Sequence, residues 1–229
     1  MPAPAPQRFK YDASVFDVAS LEQAKRIILT AENSTTEERW AKETPYMADL
    51  IGRHAGLDGN SVLLDYGCGI GRLSKELMAR HGCAAVGIDI SPTMRAFAGL
   101  YVESNRFFAC AAQSLDVLVA RGFAADAAIS IWVLQHCEKP AEEIARIRRA
   151  LKPGGTLVIV NAHARVVPSV DVKRFTAVPT VERKWSDDGL DVRALLRDAF
   201  TPLEEGPIPA TLPGIRGPDL YYWATFRRA

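Results

Sequence analysis

The spacing of apolar positions changes several times along the chain, and each change marks an element. Leu21, Ala24, Ile27 and Ile28 recur at helical spacing, and Ser20 with Gln23 three residues on makes a capping box before them. Ser34 with Glu37 repeats the box ahead of Arg39 and Trp40. Thr44-Pro45 reads as another N-cap with Pro at the first helical position, and Met47, Leu50, Ile51 and His54 follow. From residue 61 the pattern becomes one of short runs with no polar face. Residues 62–64, 83–90, 107–110, 127–134 and 156–160 read as buried strands. Helices are predicted between them. Leu73, Leu77 and Met78 precede a stop at Gly82, and Ser91-Pro92 caps a helix carrying Met94, Phe97, Ala98 and Tyr101. Leu115, Leu118 and Val119 form the next. Pro140 then opens one with Ile144, Ile147 and Leu151 inward, ended by Gly154-Gly155. Leu190 to Phe200 reads as a last helix, and 202–206 and 221–227 as two final strands.

Strands apolar on both faces, alternating with amphipathic helices, predict a sheet covered on both sides. Right-handed crossovers wind it in both directions. The expected fold is therefore α/β, a doubly wound, mostly parallel sheet of seven strands. A helical cap is expected over 19–55 and the core over 56–229. Residues 1–18, rich in Pro and Ala at first, read as a mobile start. In such sheets ligands sit outside the carboxyl ends of the strands, at the switch in strand order.

Composition narrows the classes. The 229 residues carry 28 Lys and Arg against 27 Asp and Glu, a net charge of +1. That balance gives no electrostatic reason to expect nucleic acid or an anionic membrane surface as partner. Hydrophobic residues make up 48%, enough for a full core in a chain of this length. Cys68, Cys83, Cys110 and Cys137 are widely spaced, with no C-x-x-C pair, so neither a disulfide framework nor a zinc site is expected. No apolar run approaches the roughly 18 residues of a membrane span. The first residues have no apolar core of a secretory signal. A cytoplasmic protein without a metal is the expectation; oligomeric state is left open.

The chemistry concentrates at Asp65-Tyr66-Gly67-Cys68-Gly69-Ile70-Gly71, after the first strand and before a helix. Glycines permit a tight turn and close approach of a ligand. The helix start behind them offers unpaired N–H groups. Asp89, 22 positions after Gly67 at the end of the next strand, can accept two hydrogen bonds from ribose hydroxyls. Its plainer reading is a cap for the Ser91-Pro92 turn. The spacing is G-x-G-x-G, not the G-x-G-x-x-G of dinucleotide binders.

Here the sequence resembles the class I S-adenosylmethionine-dependent methyltransferases, in their branch acting mostly on small molecules. Residues 63–71 look like their first motif and Gly87-Ile88-Asp89-Ile90-Ser91 like their acidic second-strand motif. Ala125 to Ser130 followed by Leu134-Gln135-His136 is similar to their fourth-strand segment, and Leu151-Lys152-Pro153-Gly154-Gly155-Thr156-Leu157 to the turn before their fifth strand. The resemblance runs from about residue 45 to 161, with four motifs in order. It implies a Rossmann-like fold and S-adenosyl-L-methionine as cofactor, left as S-adenosyl-L-homocysteine. It implies transfer of a methyl group to a small-molecule acceptor, through oxygen or nitrogen first, by in-line displacement.

Residue by residue, the resemblance places Gly67 and Gly69 against the methionine and ribose parts. Asp65 organises the loop or holds the amino group. Asp89 holds the ribose hydroxyls, Ile90 packs on adenine, and the backbone near Ile131 meets the methionine amino group. The family's acid after the third strand is missing from Cys110-Ala111-Ala112-Gln113-Ser114, so Gln113, or backbone of Ala112 and Gln113, stands in. Cys68 reads as a small residue tolerated beside the ligand. Tyr66, Trp132, Trp40 and Tyr46 are candidate walls, each with ordinary packing as the plainer role. His136 is the candidate base, with packing as its alternative and His163 a weaker second. The stretch 162–188 is where the family varies its acceptor pocket. It holds Arg165, Lys173, Arg174, Arg183 and Lys184 against Asp171, Glu182, Asp187 and Asp188, a mixed surface. Two rivals remain: a nicotinamide-dependent oxidoreductase, and a module that binds the cofactor without catalysis.

Overall fold

The structure, a computed structural model, describes residues 11–168 and 189–229. Seven strands form one sheet: β1 (Val62–Tyr66), β2 (Ala84–Ile88), β3 (Phe107–Cys110), β4 (Ala125–Ile131), β5 (Leu151–Ala162), β6 (Thr201–Pro207) and β7 (Tyr221–Arg227). Their order is β3-β2-β1-β4-β5-β7-β6. β1 to β5 pair in parallel, and β7 runs antiparallel to both its neighbours. This is the expected doubly wound, Rossmann-like sheet.

Successive side chains of a strand point to opposite faces. Leu63, Ala85, Ile129, Val158 and Val160 accordingly bury against one layer of helices: α2 (Thr36–Ala55), α3 (Arg72–His81) and α4 (Pro92–Val102). Leu64, Val86, Ala128, Leu157 and Ile159 bury against α5 (Ala112–Ala120), α6 (Pro140–Ala150) and α7 (Val192–Ala199).

The N-terminal region divides. α1 (Leu21–Ile28) starts as read, with Ser20 Oγ accepting from Gln23 N and Gln23 Oε1 from Ala19 N. It rests over the rim with Ile70 and Met94. α2 belongs to the core, because Met47, Leu50 and Ile51 are buried under the sheet. The expected break at Thr44-Pro45 does not occur, and Pro45 lies inside a continuous 20-residue helix. An interior Pro costs a hydrogen bond and about 3 kcal/mol; burial of the apolar Met47, Ala48, Leu50 and Ile51 around it offsets that. The cap is Thr35 rather than Ser34, with Thr35 Oγ1 accepting from Glu38 N at 3.0 Å.

Three further expectations shift. β4 ends at Ile131, three residues early, because Trp132 turns to φ +64°. α6 ends at Ala150, since Leu151 already pairs with Ala125, and Gly154-Gly155 falls inside β5. Residues 11–18, expected as part of a mobile start, are tied down: Asp12 N donates to Pro168 O, Val18 N to Thr93 Oγ1, and Ser91 Oγ to Asp17 Oδ1. Residues 1–10 and most of the 162–188 stretch, with Asp171, Lys173, Arg174, Glu182, Arg183, Lys184, Asp187 and Asp188, lie outside the described residues. Among the described residues, no helix is long and apolar enough to cross a membrane, and no cluster of His, Cys, Asp or Glu could hold a metal ion.

Candidate functional site

The carboxyl ends of β1, β2, β4 and β5 form one rim. After β1 the backbone makes three left-handed steps, at Gly67 (φ +86°), Gly69 (φ +55°) and Gly71 (φ +79°), which only glycine takes without strain. Gly67 N and Cys68 N both donate to Ile88 O, stitching the turn to β2. Gly71 is then the N-cap of α3 and supplies no side-chain acceptor, so the first N–H groups of that helix lack a side-chain cap.

Asp89 follows β2. Its Oδ2 accepts from Gly69 N at 2.8 Å and its Oδ1 from Ser91 N at 2.9 Å. One carboxylate thus braces the glycine turn and the start of α4 together. Burial pushes its carboxyl above the ordinary value, while the Ser91 and Gly69 N–H bonds oppose the shift. Asp17 lies near enough to raise it further. Ile90 beside it is 54% exposed, an apolar face open at the rim.

Gly67, Cys68, Gly69, Asp89 and Ile90 therefore come together. Asp65 sits beneath them, with Oδ2 accepting from Ser74 Oγ at 2.7 Å, and burial pushes its carboxyl up to about 6. Cys68 is buried with Sγ against Gly87, and burial raises its thiol well above the usual value. Such a thiol stays protonated and is no nucleophile. Ala112 and Gln113 open α5 after β3; Gln113 is exposed and the N-cap Ala111 offers no side-chain bond. Ile131 ends β4 opposite Val160.

The rim is closed by apolar side chains. A Cβ on Gly67 would collide with Val133, and one on Gly69 would lie 2.7 Å from Ile28 Cδ1 of α1. Beyond the glycine turn, His136 Nδ1 lies 2.7 Å from Val166 O and its Nε2 3.1 Å from Gln135 Nε2. A neutral ring with its proton on Nδ1 satisfies both contacts, so both nitrogens have protein partners. Phe16 packs edge-on to the same ring. His163 is exposed and stacks on Tyr222 instead.

Of the candidate walls, Tyr66 faces away, its hydroxyl meeting Glu143 and Arg146 of α6 under the opposite face, which is the packing role that was its plainer reading. Trp40 packs on Tyr101 and already holds Arg72 and Lys25, each 5.5 Å from its ring. Tyr46 is partly buried against the first core layer. Trp132 stands edge-on to Tyr221, with ring centres 5.2 Å apart.

The sequence reading missed the most buried charge here. Glu43 of α2 is fully buried. Its Oε2 accepts from Arg39 Nη2 at 2.7 Å, and its Oε1 from Trp132 Nε1 at 3.0 Å. Arg72 Nη2 lies 3.6 Å from the same Oε1. The Arg39–Glu43 spacing of four was legible as a helical pair; its partners across space were not.

Sheet order, glycine turn and the carboxylate after β2 together make a Rossmann-like architecture with a candidate ligand rim at the carboxyl ends of its strands. A family model described as a methyltransferase domain matches residues 64–159. A ubiquinone biosynthesis O-methyltransferase of Xanthomonas campestris pv. campestris (strain B100) is 36% identical over 117 residues, 50% of this chain and 48% of that protein. The match thus spans about half the length of that relative. Among solved structures, the PH0226 protein of Pyrococcus horikoshii OT3 aligns over 92% of this chain and 100% of its own, with TM-score 0.61 and 22% identity. The cyclase SpnF aligns over 80% of each chain, with TM-score 0.59 and 20% identity. Both structural likenesses speak to the fold alone.

Proposed function

We propose that the protein is an S-adenosylmethionine-dependent methyltransferase acting on a small-molecule acceptor, oxygen before nitrogen. The observation that carries this reading is Asp89, which braces the left-handed glycine turn from the end of β2. A carboxylate has about four acceptor positions. Two are taken by Gly69 N and Ser91 N, which leaves two for a pair of ribose hydroxyls. The apolar Ile90 beside it suits a flat base, and Gln113 with the start of α5 offers polar groups where the family's acid is missing. These residues fit an adenosyl group. A nicotinamide enzyme is less well served, because the glycines lack the dinucleotide spacing. The oxygen preference rests on the name of the Xanthomonas relative.

When bound, S-adenosylmethionine supplies a sulfonium methyl open to in-line displacement. The chain's part is to hold and orient. Asp89 and the glycine turn fix the nucleoside side, and the backbone after Ile131 faces the amino-acid side. Ile28, which lies over Gly69, turns aside for the ligand, while Val133 stays packed on Gly67 and keeps water from that side. Orientation of this kind supplies much of the rate. His136 takes the acceptor proton at Nε2 once the Gln135 amide swings off that nitrogen.

Calorimetry with S-adenosylmethionine and with NAD, followed by release of S-adenosylhomocysteine across phenols, catechols and amines, tests the reading. Heat with the sulfonium compound alone and turnover on a hydroxyl acceptor are expected. Binding of NAD in its place overturns it, and binding without any turnover favours the non-catalytic module.

A further inference from the structure

We propose that Glu43 is a positioning residue for the cofactor groove, holding its two walls in register through Trp132 and Arg72. The inference rests on the cofactor reading above. One wall is the glycine turn, which runs directly into Arg72, the first residue of α3. The other is the segment after β4, where Trp132 takes φ +64° and Val133 packs flush on Gly67. A left-handed tryptophan is strained, and strain of this kind persists only where surroundings over-determine it. Three contacts do so here. Trp132 N donates to Val160 O at 2.8 Å, its ring abuts Tyr221, and its indole Nε1–H donates to Glu43 Oε1.

The carboxylate is the right group for this position. Arg39 donates to one oxygen, while Trp132 donates to the other and Arg72 lies beside it. All of these neighbours are donors, and Glu43 has no exposure to water. Of the neutral isosteres, an amide has a single oxygen, so Gln satisfies Arg39 or Trp132 but not both. Arg72 is held in turn by Thr44 Oγ1 at 3.0 Å. Glu43 thus joins α2, the helix behind the glycine turn, and the strained end of β4. None of these contacts is local in sequence except Arg39, and Glu43 lies outside the matched segment 64–159. Preorganised walls spare a ligand the cost of ordering them.

The test is a double-mutant cycle read by cofactor affinity. Glu43→Gln, Trp132→Phe and the double variant are titrated with S-adenosylmethionine in a calorimeter, beside thermal melts. Each single change is expected to weaken binding at least fivefold in folded protein. The double variant is expected to bind like the weaker single, because both act through one linkage. A purely structural role moves melting temperature and leaves the affinity of folded protein alone. Unchanged affinity in both singles, or losses that multiply, overturns the proposal. Should Glu43→Gln not fold, the wild-type indole N–H resonance of Trp132, assigned by its loss in Trp132→Phe, decides. It is expected to shift on titration, and a resonance that stays put refutes the linkage. Wild type that binds no S-adenosylmethionine removes the cofactor reading and this inference together; wild type that binds while the variants match it removes this inference alone.

Discussion

Asp65 at the end of β1 and Asp89 just past the neighbouring β2 lie close enough to feel each other's charge and do different work. Asp89 spends two acceptor positions on backbone N–H groups and has two left. Asp89→Ala is expected to weaken S-adenosylmethionine binding by a few kcal/mol, at about 1.5–3 kcal/mol for each charge-assisted bond. Calorimetry reads this, and full affinity in a folded variant rejects the ribose role. Asp65 is buried with its carboxyl pushed up to about 6, from an ordinary 3.8. The folded state then holds that proton more tightly than the unfolded chain. Its contribution is fully present below about pH 4 and is lost as pH rises through 6. Asp65→Asn keeps an acceptor for Ser74 without the charge. Relative to wild type, the variant is expected to gain on the order of 3 kcal/mol between pH 4 and pH 7, read from denaturant midpoints. A constant difference across that range refutes the raised value.

At the scale of elements, α1 is expected to control access. It has eight residues, too few to persist alone. Its hold on the rim comes from Ala24, Ile27 and Ile28 packed with Ile70, Met94 and Phe97. Ile28 reaches over Gly69, where the adenosyl group is proposed to lie. α1 is thus expected to open first and to close again on bound ligand. Hydrogen exchange checks this: S-adenosylmethionine should slow the amides of 21–28 far more than those of α6, on the opposite face. Equal protection of both helices removes α1 from ligand entry. The 11–18 segment belongs to the same layer, because Asp17 meets Ser91 and Phe16 meets His136. Its tie was not legible, since residues 11–18 show neither helical nor alternating spacing and their partners lie 74 to 156 positions on.

The whole molecule joins a common sheet to a particular entrance. If His136 takes the acceptor proton, His136→Ala lowers turnover at least tenfold and leaves cofactor affinity within twofold; a variant at full rate assigns the ring to packing against Phe16 and Val166. The sequence by itself determined the sheet. Runs such as Val62-Leu63-Leu64, apolar on both faces, are stable only between two helical layers, and glycines ahead of a helix fix where the backbone can turn left-handed. Those are local constraints, written in consecutive residues. Local signals were also enough for the Ser20, Ser91 and Gly82 caps. Tertiary structure alone decided three other matters. It ran α2 through Pro45, because buried contacts outweighed a local helix breaker. It sent Tyr66 to Glu143, because residues alternating along a strand serve opposite faces. It brought Glu43 to Trp132, 89 positions apart, to support a strained backbone at the end of β4. A buried charge is tolerable only with partners, and partners drawn from three elements exist only after the chain has folded.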